Sequence, residues 1–226
     1  MKTKKSIILT IICFAGFQFC MIHFLSAQDT IYLKNPSFED LPRAGTSITP
    51  SIKGWHDCGR TKFPGETPPD IHPVVPFNAW SVDMKAYDGE TYMGLVVRYN
   101  ATYESVSQDL KKPLEADKCY SFTAFLARSD AYLSGTARSV SKLENFISPA
   151  ILNIWGGYNT CDRMELLGQS GPVDHNTWKH YDFIFRPTND YTYITIEAYY
   201  ADPDQPTYNG HIMVDNLSPI IEIECK

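Results

Sequence analysis

The sequence predicts an all-β chain folded as a sandwich of short strands. Three observations carry that expectation. Apolar and polar residues alternate with a period of two, in run after run, from residue 91 to residue 225. Turn-forming residues punctuate those runs: Asp88-Gly89, Asn209-Gly210 and Pro187-Thr188-Asn189-Asp190. Beyond residue 27 no stretch carries a sustained 3.6-residue apolar stripe, and 141–146 has room for one helical turn at most.

The elements follow in chain order. Residues 1–5 (MKTKK) are cationic, 6–25 are apolar and uncharged, and Leu25-Ser26-Ala27 offers a small residue for cleavage. Residues 1–27 therefore read as a signal peptide, which makes 28–226 an exported domain, secreted or held at the cell surface. No second apolar run reaches spanning length, so no membrane insertion is expected after cleavage. The stretch 41–88 carries Pro42, Pro50, Pro64, Pro68, Pro69, Pro73 and Pro76 and reads as long loops. Strands follow at 91–98, 103–110 and 119–128. In the last of these Tyr120, Phe122, Ala124 and Leu126 share a face. Further strands are expected at 150–155, at 178–186 with Tyr181, Phe183 and Phe185 inward, and at 191–200. There Ile194, Ile196 and Ala198 take one face, and Tyr191, Tyr193, Glu197 and Tyr199 the other. Runs at 211–217 and 220–225 close a single domain with long loops.

Composition narrows the function. Of 226 residues, 43% are hydrophobic and 20% charged, which suits a packed globular chain rather than a disordered one. The net charge of −6 deepens once Lys2, Lys4 and Lys5 are cleaved away, so a non-specific nucleic-acid binder, which needs a basic face, is not expected. Cys58, Cys119, Cys161 and Cys225 remain, an even number in an exported chain, and no C-x₂-C or H-x₃-H spacing suggests zinc; two disulfides are expected.

Several short motifs run in a telling order: Asn35-Pro36-Ser37-Phe38-Glu39, Gly54-Trp55, Tyr87-Asp88-Gly89, Gln108-Asp109-Leu110, Cys119-Tyr120-Ser121-Phe122, Trp178 with Tyr181 and Phe185, and Val214-Asp215-Asn216. This order resembles the galactose-binding-like jelly rolls of bacterial carbohydrate-binding modules, over residues 35–225. The end of the leader and Ile154-Trp155-Gly156-Gly157 look like secreted surface proteins of Bacteroidota. The resemblance implies a jelly-roll β-sandwich that binds a glycan or polysaccharide. It implies the pairs Cys119–Cys225, at the ends of neighbouring antiparallel strands, and Cys58–Cys161, at one rim. It also implies a structural calcium ion (Ca2+) near Glu39 and Asp215.

A sugar site needs an aromatic platform for pyranose C–H faces and polar groups for the hydroxyls. Trp80, in a loop outside any alternating run, is the first candidate. Tyr193 and Tyr199, on the face opposite Ile194 and Ile196, come next. Arg98 is the fourth, with an ion pair to Glu104 as its competing role. Trp55, Trp178 and Trp155 read as core. No catalytic residue is expected: His56, His72, His175, His180 and His211 show no H-E-x-x-H spacing, and Gly168-Gln169-Ser170-Gly171 is one residue short of a nucleophile elbow. The expected function is non-catalytic glycan binding. The alternatives are a structural or adhesive surface protein on the same fold and, more distantly, a glycoside hydrolase using Glu165 and Glu197.

Overall fold

The computed structural model describes residues 29–45, 51–59, 65–74, 78–202 and 204–225. The expected signal peptide, its cleavage site, and Pro50, Pro64 and Pro76 lie outside the described residues. No helix among the described residues is long and apolar enough to cross a membrane.

The chain is all β, built as two facing sheets with a hairpin on one of them. The first sheet takes β1 (Thr30–Ile31), β3 (Asp70–His72), β4 (Tyr92–Val97), β6 (Cys119–Ala127), β11 (Lys179–Phe185), β13 (Gly210–Asp215) and β14 (Ile220–Ile223). β6 pairs along its length with β11 on one side. On its other side it meets β14 near its start and β13 near its end. β4 and then β3 continue outward from β13, and β1 flanks β14. The second sheet runs β2 (His56–Asp57), β5 (Ser105–Leu114), β12 (Tyr191–Tyr200), β9 (Ser148–Gly157) and β10 (Glu165–Gln169). All of these pairs are antiparallel. A two-residue parallel contact, Gly210 and His211 of β13 against Ser148 and Pro149 of β9, joins the sheets. β7 (Leu133–Thr136) and β8 (Ser139–Asn145) form a separate hairpin.

Alternation drives this arrangement, because one face of each sheet must leave water. Phe122, Ala124 and Leu126 from β6, Met93, Leu95 and Val97 from β4, and Ile194, Ile196 and Ala198 from β12 are buried in the core between the sheets. Tyr191 departs from the expected pattern. A bulge between Tyr191 and Tyr193 shifts its register, so it turns into the core against Gly156, where a Cβ would lie 2.5 Å from its ring. A second, smaller core lies on the outer face of the first sheet. It joins Tyr92, Val96, Ala127 and Met213 to Val82, Tyr132 and Phe146.

Two local expectations need correction. The stretch 41–88 is not loop throughout, since β2 and β3 lie within it. The segment 141–146 holds no helical turn; most of it is β8, because pairing with β7 satisfies its backbone.

Both disulfides are closed, Cys58–Cys161 and Cys119–Cys225, with Cα separations of 5.5 and 5.3 Å. The second ties the start of β6 to the end of the chain.

Candidate glycan-binding groove

The outer face of the second sheet carries an open groove. Alternation sets what lines it: when Ile194, Ile196 and Ala198 point inward, Thr195, Glu197 and Tyr199 point out. Across β9 and β5, Thr195 faces Trp155 and Ser107, Glu197 faces Asn153 and Ser105, and Tyr199 faces Ile151 on β9. A depression of about 350 Å³ is lined by Tyr103, Asn153, Trp155, Arg163, Leu166, Gln169, Glu197 and Tyr199. A second, of about 420 Å³, shares Tyr103 and Arg163 and adds Cys58, Glu66, Ala101 and Thr102.

A connected set of hydrogen bonds fixes the polar floor. Glu197, 1% exposed, is the hub. It accepts the Trp155 indole N–H (3.1 Å), the Asn153 amide (3.3 Å) and the Arg163 guanidinium. Gln169 donates to Asn153 Oδ1 (2.9 Å), and Arg163 Nη2 donates to Ser105 Oγ (2.9 Å). The guanidinium carbon lies 5.6 Å from the centre of the Tyr103 ring, and Tyr103 meets Tyr199 edge to face at 5.2 Å. Burial, with Glu197 nearby, pushes the Tyr103 phenol above its ordinary value, so it stays a neutral hydroxyl. The groove therefore presents three aromatic rings and a neutralised ion pair, with amide groups held in fixed orientations.

The residues singled out from sequence separate. Tyr199 lines the groove. Tyr193 shares its face of β12 but is absent from the lining, because the 158–164 loop intervenes: Thr195 donates its hydroxyl to the Asp162 carbonyl at 3.2 Å. Trp80 and Arg98 lie elsewhere, together. Both line a narrow cavity of about 10 Å³, room for one water-sized group, beneath the β7–β8 hairpin with Thr67, Tyr132 and Ser134. Trp80 is half-buried, stacked on Tyr132 at 6.1 Å, and its indole N–H donates to Asp70 (3.0 Å). Arg98 is 5% exposed and paired with Glu104, the competing role raised for it above. Burial raises the Glu104 carboxyl against the pull of Arg98.

Glu39 and Asp215 cap one loop from two ends. Glu39 accepts the backbone N–H groups of Glu90 (2.8 Å) and Thr91 (3.3 Å), and Asp215 those of Tyr87 (2.8 Å) and Asp88 (3.0 Å). Burial pushes the Asp215 carboxyl up to about 7. Backbone amides thus engage Glu39 Oε1 and Asp215 Oδ2, a capping role that competes with the cation-binding one. Among the described residues no three His, Cys, Asp or Glu side chains are grouped to hold a metal.

Of the two carboxylates raised for a glycosidase, only Glu197 lines the groove. Glu165 accepts the Thr188 amide and hydroxyl and the Tyr191 hydroxyl, outside the groove lining. Trp155 is the residue that a core assignment hides. Its signal lies in the alternation of β9, where Ala150, Leu152 and Ile154 are buried and Asn153 and Trp155 take the other face.

No family model matches the chain, and no curated protein matches it. Solved structures with a similar fold include an arabinose-bound α-L-arabinofuranosidase, MgGH51, at 11% identity and TM-score 0.48, covering 85% of this chain and 26% of that one. This chain thus spans about a quarter of that enzyme's length. The CBM22-1 xylan-binding domain of Paenibacillus barcinonensis Xyn10C aligns over 80% of this chain and 94% of its own, at 11% identity and TM-score 0.39. The K1 cleaved adhesin domain of Lys-gingipain from Porphyromonas gingivalis W83 aligns over 76% and 91%, at 8% identity and TM-score 0.42. The solved structures that this fold resembles thus include carbohydrate-binding-module and adhesin β-sandwiches.

Proposed function

We propose that the exported domain binds a neutral glycan chain along the outer face of the second sheet and performs no chemistry on it. One observation carries the proposal: Trp155, Tyr103 and Tyr199 converge with Arg163, Glu197, Asn153 and Gln169 on a single open depression. Aromatic rings match the C–H faces of sugar rings, and fixed amide and guanidinium groups match hydroxyls. Because Arg163 is neutralised by Glu197, the groove gives no net attraction to an anionic chain. The two adjoining depressions suit an extended ligand rather than a single sugar. Binding is weak, since each hydroxyl exchanges water partners for protein ones. The leader and the disulfides support a site of action outside the cell.

A glycan array on residues 28–226, followed by calorimetry on the best ligand, tests this reading. Trp155→Ala is expected to weaken binding at least tenfold while the melting temperature moves little. Array samples are expected to release no sugar; turnover lost in Glu197→Gln would instead make the site catalytic. An array with no binder would favour the structural or adhesive alternative.

A further inference from the structure

The loop at 158–164 leaves β9 and returns to β10, yet it does not turn straight back. Thr195 on β12 holds its Asp162 carbonyl, and Cys161 is bonded to Cys58 just beyond β2. The Cys58 amide is in turn held by the Ser105 carbonyl on β5, at 3.0 Å. The loop is therefore a strap laid across β12 and β5 as far as β2. It also touches the sheet through the Tyr158 carbonyl, which accepts the Thr192 hydroxyl on β12 (3.1 Å), and through Arg163, which reaches Glu197 and Ser105; its other hydrogen bonds stay near its own roots. Met164 N–H donates to Gly156 O (3.0 Å), and the Asp162 carboxylate accepts the amides of Tyr158 (3.1 Å) and Asn159 (2.8 Å). Arg163, two residues from the bridge, is the strap's contribution to the groove.

We propose that the Cys58–Cys161 bridge is a thiol-releasable latch on the groove. This regulation rests on the reading of the groove as the glycan site. Cys58 lines the depression beside Arg163, and both cysteines are half-buried, so a small dithiol reaches the bridge from the groove side. Its thiolate attacks one sulfur and expels the other cysteine as a thiolate, and its second thiolate then attacks the mixed disulfide and expels the first cysteine. The protein's S–S bond takes up two electrons and two protons to give two thiols, while the dithiol becomes a cyclic disulfide. Once released, the strap keeps its bonds to β9 and β12 but loses its covalent hold on β2. Arg163 then loses its fixed place over Tyr103 and against Ser105. The groove loses a wall, and the face carrying Tyr193 becomes continuous with it.

The Arg163 Nε–H, donated to Glu197, reports the latch directly in a ¹⁵N-edited NMR spectrum and is assigned by its loss in Arg163→Lys. The signal is expected in the oxidised protein and in Cys119→Ser/Cys225→Ser, and absent from Cys58→Ser/Cys161→Ser. Affinity for soluble arabinoxylan in native gels is expected to fall at least tenfold in the last variant only. Persistence of both signal and affinity without the bridge overturns the latch. A bridge-dependent signal in a protein that retains no glycan supports the latch and overturns the binding reading instead. If Cys58→Ser/Cys161→Ser does not fold, Asp162→Ala keeps the bridge and loosens the strap's own caps. The latch requires its Arg163 signal to remain, and loss of that signal overturns the proposal.

Discussion

The groove on the second sheet and the cluster beneath the β7–β8 hairpin are made of the same kinds of residue. One has Trp155, Tyr103, Tyr199, Arg163 and Glu197; the other has Trp80, Tyr132, Arg98, Glu104 and Asp70. In both, an arginine pairs with a glutamate that is 1% exposed. The difference is cover. The Arg163 side chain remains 32% exposed, whereas that of Arg98 is 7% exposed under the hairpin. One set of side chains is therefore available to a ligand, and the other has become a second core. Residue type alone does not separate a binding face from a sealed one.

Four measurements sharpen or break that contrast. The largest effect is expected from Glu104→Ala, which strands the buried Arg98 guanidinium and costs about 3–5 kcal/mol in urea unfolding. The folded fraction should still bind glycan with unchanged affinity; a loss of affinity would make the sealed cluster part of the site. Trp80→Ala comes next. It removes a half-buried ring and a hydrogen bond to Asp70, for about 2 kcal/mol, again without effect on affinity.

The third measurement is pH. His211 is fully buried and neutral: its Nδ1–H donates to the Phe146 carbonyl, and its Nε2 accepts the Ser129 amide at 2.8 Å. Burial pushes its pKa from 6.5 down to about 3. Between those values the unfolded chain binds a proton that the folded one refuses. The His211 contribution is thus complete above pH 6.5 and declines as pH falls toward 3, by at most about 1.4 kcal/mol per pH unit. The difference in urea unfolding between the wild type and His211→Gln from pH 7 to 4 should show that slope, since the Asp215 and Glu104 carboxyls, raised by burial, bind protons in the folded state and contribute the opposite slope to both proteins. Among the described residues no histidine lines the groove, so glycan affinity of the folded protein should stay level from pH 7 down to the carboxylate range. The smallest effect is expected from calcium. Exchanging millimolar calcium for chelator should leave the melting temperature unchanged, and a fall of several degrees would place a cation among Glu39 and Asp215 after all.

The strands were legible wherever alternation decides. β6, β11 and most of β12 bury the residues whose period marks them for burial. Tyr191 was not, because a one-residue bulge reverses its face and nothing in its own segment announces that. β7 and β8 were missed because β7 buries Ser134, Gly135 and Thr136 rather than apolar side chains, and the exposed Val140 and Leu143 of β8 break the two-residue pattern. Among the residues that line the groove, Tyr199 followed from alternation, and Trp155 was readable by the same rule applied to β9. Arg163 was not readable: it owes its position to a strap whose path is fixed by a bond to a cysteine 103 residues away. The placement of Trp80 and Arg98 was not readable for a related reason, since the hairpin that covers them lies far along the chain.

The short parallel contact between β13 and β9 has a consequence for how the protein behaves in a crowd. β6 ends at Ala127, and β9 takes up the ladder of β13 at Gly210 and His211 where β6 has run out. Backbone groups that would otherwise stand as an open edge are thereby consumed within the molecule, and an open edge is a template for strands from another chain. The seam depends on an absent side chain, because a Cβ on Gly210 would sit 2.3 Å from the Ser148 carbonyl oxygen. An alanine there would leave the groove untouched and unzip the seam, so its harm would be self-association rather than lost recognition.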